Sequence, residues 1–347
     1  MRVLMIVQQV DESHWLRGFT VGWIRALAAQ VAALDVLALE AAPTDLPDNV
    51  TVFSMGKERG KNRARELWNF QRGMLRFAPR ADVIFSHMTP LYTILAAPYA
   101  ALFGKKQVLW YTHRQVDTAL RLADRLAWRV TTAVPDSYGI PSGKARALGH
   151  GIDTDFFAPG DCPPPDDLPV VLQVARLMPI KRQETLIRAL AKGVPARAVF
   201  VGADEQRTGY ADRLKTLAQE LNVPVLFTGG LPAAEVRDWY RRAAVAVNLS
   251  PVGLFDKAVL ESLACGTPTI VCNPAFDPLL GSCQPTLRIN DPDDVDGLAA
   301  RLLKLLALAE GDTRAMGDML RKHTVEQHSL RQLMARLARV FETGEPA

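Results

Sequence analysis

This 347-residue chain lacks most of the short motifs that identify common enzyme classes. It has no GxGxxG fingerprint of a dinucleotide site, no GxSxG nucleophile elbow and no HExxH zinc helix. The nearest approach to a phosphate-binding P-loop, residues 56–62, has the wrong glycine spacing and no Ser or Thr after its lysine. These absences disfavour a dehydrogenase, a nucleoside triphosphatase and a hydrolase.

Cysteine and long apolar runs are also scarce. The four cysteines show no CxxC spacing, which indicates reduced, packed thiols and argues against a zinc site. The apolar run near the N-terminus is too short for a secretory signal, and the longest run, residues 91–104, contains Pro98 and is too short to span a bilayer. We therefore expect a cytoplasmic protein that binds no metal, and we expect any membrane contact to be peripheral, at the inner face of the membrane.

The formal charge of +4 is small but unevenly distributed. Residues 1–157 hold 19 Lys and Arg against 14 Asp and Glu, and the run Lys57–Arg65 has five cations against one anion. This run predicts either a solvated helix surface or a contact with an anionic partner such as lipid head groups. Nucleic acid is not expected as a partner, because the chain has no zinc-finger spacing and no strongly basic domain.

The hydrophobic pattern predicts an α/β fold with two domains. Chains of this length usually exceed one core, and short Val, Ile and Leu runs alternate with helical patterns, as in parallel sheets buried on both faces. Two doubly wound units in tandem follow. Strands are predicted at residues 3–7, 35–39, 82–86, 108–112 and 131–134, and again at 170–174, 198–201, 225–227, 245–249 and 269–272.

A proline-rich acidic segment predicts the domain boundary, because it cannot continue a helix or a central strand. We expect a first domain at 1–157, a linker at 158–169, a second domain at 170–311, and helices at 312–347 that cross back toward the first domain. Facing units of this kind bind ligands outside the carboxyl ends of their strands.

Two loops in the second domain carry candidate binding residues. Arg176, Lys181 and Arg182 follow the strand at 170–174 and precede a helix, where free backbone N–H groups and side-chain charges together suit a diphosphate. In the second loop Asp256 is expected to cap a helix, and Glu261, one turn inside, suits the vicinal hydroxyls of a ribose. The alternative for these residues is the ordinary one, solvated surface charges.

The chain resembles the retaining glycosyltransferases of family 4, the glycosyl transferases group 1, in the order and spacing of four segments: 147–157, 201–204, 227–231 and 261–268. The resemblance implies the GT-B fold, in which two Rossmann-like doubly wound domains face each other across a cleft. It implies transfer of a hexosyl group, with retention, from a UDP- or GDP-sugar donor. The acceptor would be a saccharide or a lipid-linked molecule in cell-surface glycan or glycolipid synthesis, and no cofactor or metal is expected.

By this resemblance, Arg176 and Lys181 hold the donor diphosphate, Glu261 binds the ribose, and His113 contacts the transferred sugar. A packed strand-end histidine is the alternative for His113. The implied catalytic residues are His113, Arg176, Lys181 and Asp256; the donor-binding set also contains Gly202, Thr228, Gly229, Gly230, Leu231, Phe255, Lys257, Ala258 and Glu261; the substrate contacts also include Gly18, Phe19 and His87.

One position departs from the family pattern. Most members carry a glutamate eight positions before the ribose glutamate, and here that position is Gly253. Asp256 would then supply the carboxylate from a shifted point, while Lys257 adds a cation near the diphosphate. Two alternatives remain open: a nucleotide-sugar epimerase or hydrolase on the same fold, and a non-catalytic GT-B-like subunit of a polysaccharide assembly.

Overall fold

The computed structural model describes residues 1–12, 19–163, 168–204 and 209–346. The chain forms two compact units, one of Met1–Gly151 with Leu330–Ala347 and the other of Ile152–Ser329. Each unit contains one sheet in which every named strand pair is parallel. The predicted fold class, two doubly wound α/β units, is confirmed.

The first unit has a seven-stranded sheet in the order β3-β2-β1-β4-β5-β6-β7. The five predicted strands are present, together with β3 and β7, which the hydrophobic pattern missed because their residues are mostly only half-buried. The strands are β1 Arg2–Val10, β2 Ala33–Ala41, β3 Val50–Ser54, β4 Val83–His87, β5 Lys106–Trp110, β6 Arg129–Thr132 and β7 Ala145–Ala147.

Helices cover both faces of this sheet. Alternate residues of β1 point to opposite faces, so that Val3 and Met5 join one core cluster while Leu4 and Ile6 join another. Helices α1 and α13 pack on the first face; α2 and α3 pack on the second, where α4 lies beside α3. Their bounds are α1 Phe19–Ala28, α2 Arg63–Phe77, α3 Pro90–Phe103, α4 Thr118–Leu126 and α13 Leu330–Thr343.

Short polar side chains begin two of these helices. The Asn62 side chain accepts a hydrogen bond from the Arg65 backbone N–H at 3.0 Å, and Asp117 accepts one from Leu120 at 2.7 Å. Each bond satisfies a backbone donor that has no partner inside its helix. These caps explain why α2 and α4 begin where they do.

The second unit has a five-stranded sheet in the order β10-β9-β8-β11-β12. The strand order reverses between β8 and β11, and the loops that follow those two strands lie at the carboxyl edge of the sheet, where α/β sheets bind ligands. The strands are β8 Val170–Val174, β9 Arg197–Val201, β10 Val225–Gly229, β11 Val245–Asn248 and β12 Thr269–Val271.

The helices of the second unit follow its strands. α12 packs against α8, and Gly317 of α12 closely approaches Gly266, which lies just after α8. The predicted helical stretch at the C-terminus is two helices that part at Ser329, with α12 in the second unit and α13 in the first. The bounds are α5 Gln183–Leu190, α6 Tyr210–Glu220, α7 Ala233–Arg242, α8 Lys257–Ala264, α9 Asp277–Leu280, α10 Gln284–Leu287, α11 Val295–Leu306 and α12 Glu310–His328. Single 3₁₀ turns occupy Lys57–Arg59, Ala78–Arg80, Pro135–Ser137, Pro179–Lys181, Pro274–Phe276 and Gly281–Cys283.

Within the described ranges, none of the helices combines the length and the apolar character needed to cross a bilayer.

Candidate functional site

The loops after β8 and β11 meet through Lys181. This residue ends the 3₁₀ turn Pro179–Lys181, and only 8% of its surface is exposed. Its Nζ donates a hydrogen bond to Ser250 Oγ at 3.0 Å, and its backbone carbonyl accepts one from Gln173 Nε2 at 2.6 Å. Hydrogen bonds therefore fix both the backbone and the ammonium group of Lys181. The residue lies beside β8 and β11, between which the strand order reverses.

Asp256 neutralises the Lys181 ammonium. Lys181 Nζ lies 2.9 Å from Asp256 Oδ1 and 2.7 Å from Oδ2. Asn248 Nδ2 donates to Oδ2 at 3.0 Å, and the Ser250 hydroxyl donates to the same oxygen. Since an ammonium has three protons, the two carboxylate oxygens and the Ser250 hydroxyl can use all of them. The structure thus forms a closed ion-pair cluster.

The expectation that Asp256 caps α8 is wrong for its side chain. Asp256 does occupy the N-cap position, but its carboxylate makes no capping hydrogen bond. The two charge-assisted contacts with a largely buried lysine are stronger than a cap to a neutral N–H, so the side chain turns toward Lys181.

Arg176 lies in the same loop as Lys181 with its side chain exposed. The loop backbone is fixed there, because Gln183 Nε2 donates to the Arg176 carbonyl at 3.0 Å and the Leu177 N–H donates to Ala203 at 3.1 Å. A rigid backbone with an exposed guanidinium is an arrangement that can receive an anion.

Glu261 and Lys257 form a second charged pair on α8, one turn apart. Burial raises the pKa of Glu261, while Lys257 and a hydrogen bond from Tyr240 counteract the rise. Tyr240 Oη donates to Glu261 Oε2 at 3.2 Å from α7. Burial also lowers the pKa of Lys257 to about 8, against the opposing charge of Glu261. Burial thus disfavours the charged form of both side chains, and each charge offsets part of that cost for the other.

The glycine turns tie together the ends of β8, β9 and β10. Gly202 has a φ of +147°, and a Cβ there would lie 2.0 Å from the Ala175 carbonyl oxygen. Its N–H donates to the Gly229 carbonyl at 2.8 Å, and the Thr228 hydroxyl donates to the same carbonyl at 2.9 Å. Only glycine fits at residue 202, which the residue pattern alone did not reveal.

The other donor-site candidates surround these loops. Phe255 is buried and its ring stacks on Phe276 with 4.4 Å between centroids, so it anchors the loop in the core of the second unit. Gly253 has a φ of +92°, a left-handed conformation that favours glycine. Gly230 is exposed just after β10, while Leu231 and Ala258 are half-buried.

In the first unit, His87 is the last residue of β4, and His113 comes three residues after the neighbouring strand β5. His87 is 5% exposed and its ring meets Trp23 edge-on at 4.7 Å, with Phe19 at 6.1 Å. His113 is more exposed, its ring lies 5.7 Å from Tyr111, and desolvation lowers its pKa. Gly18 lies outside the described residues.

The sequence interpretation missed Asn248 and Ser250, which complete the cluster around Lys181. Both residues are buried and polar at the end of an apolar strand, and that combination was an available signal. Among the described residues, no three His, Cys, Asp or Glu side chains gather closely enough to hold a metal ion.

Comparison with known proteins identifies the family. Residues 168–308 match the model of the glycosyl transferases group 1. The D-inositol 3-phosphate glycosyltransferase of Acidothermus cellulolyticus is 33% identical over 169 residues, 43% of this chain and 38% of that protein. The chain spans 38% to 43% of the length of the first relatives of that name.

A longer match extends over three quarters of both chains. The GDP-mannose-dependent alpha-(1-6)-phosphatidylinositol monomannoside mannosyltransferase of Mycolicibacterium smegmatis is 30% identical over 302 residues, 75% of each protein. Among solved structures, sucrose-phosphate synthase from Thermosynechococcus elongatus has a TM-score of 0.75 at 21% identity and covers 99% of this chain and 98% of its own.

The fold similarity extends to a structure with a bound nucleotide. Anabaena HepE in complex with UDP and glucose has a TM-score of 0.73 at 16% identity and covers 99% of this chain and 100% of its own. The predicted family resemblance and the GT-B fold are confirmed by these matches. The chain belongs to the glycosyl transferases group 1.

Proposed function

We propose that this protein is a retaining glycosyltransferase that moves a hexosyl group from a nucleoside diphosphate sugar to a saccharide or lipid-linked acceptor in cell-surface glycan or glycolipid synthesis. The observation that carries the proposal is the buried Lys181 ammonium at the reversal of strand order, beside the Asp256 carboxylate. A cation held at this point suits the diphosphate of a donor. Family membership supports the same reaction class.

The diphosphate would bind by taking over protons of Lys181. In the free protein those protons are directed at Asp256 and Ser250. A phosphate oxygen that accepts one of them releases part of the Asp256 carboxylate, which then becomes available to the hydroxyls of the donor sugar. This exchange gives Asp256 the role that a glutamate at position 253 has in most family members.

Departure of the nucleoside diphosphate leaves negative charge on the phosphate oxygens. Lys181 and the exposed Arg176 lie in one loop, and Lys257 begins α8. Fixed cations stabilise such charge as it develops, since no solvent has to reorganise around it. This chemistry needs no metal ion and no further cofactor.

Glu261 would bind the ribose. Tyr240 fixes the orientation of the carboxylate through the 3.2 Å hydrogen bond to Oε2. An oriented carboxylate accepts hydrogen bonds from two vicinal hydroxyls well. The backbone around Thr228 to Leu231 would border the base, and His113 would contact the transferred sugar.

The nucleotide is proposed from named relatives and neighbours. The Mycolicibacterium smegmatis relative is named as GDP-mannose-dependent, and HepE was solved with UDP and with UDP-glucose. GDP- and UDP-hexoses are therefore the two donor classes to test first. A thermal-shift panel of GDP, UDP, ADP and their sugars separates them, because a bound donor raises the melting temperature by mass action.

The loop at Gly253 favours one other candidate, a non-catalytic subunit that retains the fold. No carboxylate is available at residue 253, and its left-handed backbone favours glycine. Transfer assays with the donor identified by the thermal-shift panel decide between the two functions. Hexose incorporation supports the transferase, whereas no stabilisation by any nucleoside diphosphate would overturn the proposed site.

A further inference from the structure

Exposed apolar side chains are concentrated on three neighbouring helices of the first unit. Across the described residues, thirteen large apolar side chains are exposed, and seven of them lie on α2, α3 and α4. Trp68 is 63% exposed and Leu102 is 70% exposed, so most of the surface of each of these side chains is open to solvent. We call the set the α2–α4 surface: Leu67, Trp68 and Leu75 on α2, Leu91 and Leu102 on α3, and Leu122 and Leu126 on α4.

The charges among these side chains are of one sign. Five exposed arginines lie on α2 and α4, and α3 has no charged residue. Within these three fully described helices, the two carboxylates are half-buried and engaged: Glu66 accepts from the Asn62 N–H at 3.3 Å, and Asp124 accepts from Tyr138 Oη at 2.9 Å. The exposed arginines are Arg63, Arg72, Arg76, Arg121 and Arg125.

The helices form one continuous layer. Phe70 and Met74 of α2 and Ala96 of α3 pack into the same core cluster under the sheet, while Ile94 of α3 packs against the cluster of α4. The exposed residues of all three helices therefore lie on the side of the layer away from the sheet. The result is a surface of leucines and a tryptophan interspersed with arginines. One exposed carboxylate, Asp117, lies at the start of α4, where it caps the helix.

We infer that the α2–α4 surface docks this protein on an anionic lipid membrane. An apolar surface with one exposed tryptophan and flanking arginines inserts shallowly at the boundary between head groups and acyl chains. The arginines complement the negative potential of anionic head groups. If the α2–α4 surface bound a soluble protein, we would expect a polar rim around it with exposed charges of both signs.

The basic run at residues 57–65 contributes less than its charge suggests. Lys57 pairs with Glu40 at 3.4 Å, and the Arg65 guanidinium donates to the Gly56 carbonyl at 2.9 Å. These two cations hold their own loop. Membrane contact therefore depends mainly on α2, α3 and α4, the first of which begins within the run at Arg63.

The inference rests on the proposed function in one respect: docking on a membrane would bring the protein to a lipid-linked acceptor that lies in that membrane. α3 and α4 also begin after the strands that end at His87 and Trp110. Membrane contact itself can be measured without any sugar transfer, so the two proposals fail separately.

The test is co-sedimentation of the whole protein with vesicles. Vesicles of phosphatidylcholine alone are compared with vesicles that also contain phosphatidylglycerol, at low and at high salt. We expect binding to the anionic vesicles that weakens with salt. Leu67→Ser/Trp68→Ser and Arg72→Glu/Arg121→Glu should each reduce the partition coefficient roughly tenfold or more.

Matched controls lie in the second unit. Leu303 on α11 is 42% exposed, and Arg188 on α5 is exposed. Leu303→Ser and Arg188→Glu should bind vesicles as the unchanged protein does. Nucleoside diphosphate thermal shifts and melting temperatures of all variants report whether the donor site and the fold are intact.

Three outcomes would overturn the inference. The first is equal binding to neutral and anionic vesicles, and the second is equal binding by the surface variants and the controls. The third is a dimer, detected by light scattering, that Leu67→Ser/Trp68→Ser abolishes while no vesicle binding is seen. That last result would assign the surface to a second copy of the chain.

Discussion

Lys181 Nζ lies 2.7 Å from Asp256 Oδ2, although the two residues are 75 positions apart in the chain. The side chains are only 10% and 23% exposed, so the pair is shielded from much of the solvent. Removing one partner leaves the other charge poorly compensated. The ion pair is thus both part of the candidate donor site and a structural link between two loops.

Loss of Asp256 should destabilise the protein. Asp256→Ala leaves Lys181 without its carboxylate, and we expect the free energy of unfolding to fall by about 2–4 kcal/mol. Lys181→Met/Asp256→Ala should recover part of that loss, because no charge remains buried. Chemical denaturation measures both. Arg213→Ala, which breaks the exposed pair with Glu184, is the control and should change stability by less than about 1 kcal/mol. Equal effects at the two pairs would contradict the role of burial.

Substitutions in the donor site should affect transfer more than folding. Arg176→Ala and Glu261→Ala are expected to lower transfer by about 100-fold or more, the scale for losing one preorganised polar contact. Donor titration and steady-state assays measure the effect, and melting temperatures test the fold. Arg188→Ala on α5 is the control. Unchanged activity in both site variants would refute the assignment.

Donor affinity should decrease as pH rises through about 8. Burial lowers the pKa of Lys257 to about 8, and a bound diphosphate would raise it again, so binding takes up a proton above that pH. The dissociation constant should then increase by up to about tenfold per pH unit. Isothermal titration across this range measures it.

Lys257→Arg provides the control for this pH dependence. Arginine keeps its charge throughout the range. The donor affinity of Lys257→Arg should therefore stay constant over the pH range in which that of the unchanged protein decreases. A lysine whose pKa is lowered by folding also makes the protein more stable as pH rises from about 8 toward 10.5, since the unfolded chain then holds more protons. Identical pH profiles of the two proteins would show that Lys257 does not contact the donor.

Gly202→Ala should disrupt the carboxyl edge of the second sheet. A Cβ would approach the Ala175 carbonyl oxygen to 2.0 Å, at a φ of +147°. We expect a loss of about 2–4 kcal/mol in unfolding free energy, together with weaker donor binding. Gly193→Ala is the matched control: φ is +88° with no atom within 4 Å of the added Cβ, so only about 1–2 kcal/mol of backbone strain is expected. Equal losses in the two variants would mean that the close approach carries no cost.

Much of the fold was predictable from local pattern. The runs that became β1, β4 and β8 are mostly apolar, and such runs are stable only when both faces are buried. β3 and β7 escaped prediction because edge strands expose part of their surface. The division of the C-terminal helical stretch at Ser329 also escaped it, since no Gly or Pro marks the break.

The candidate site was predictable only in part. Arg176, Lys181, Asp256 and Glu261 were found because they follow strands or begin helices, which is local information. Their ligand contacts stay predictions. Asn248 and Ser250 were missed because their importance depends on which loop lies beside them.

The sequence by itself determined the alternation of buried strands with helices and the identity of the charged loops, because burial and helix periodicity are set by near neighbours in the chain. The tertiary structure alone decided that Lys181 meets Asp256, that Gly202 meets Ala175, and that seven exposed apolar side chains lie on three neighbouring helices. The physical reason is that strand order brings distant segments together, and strand order depends on the packing of the whole unit.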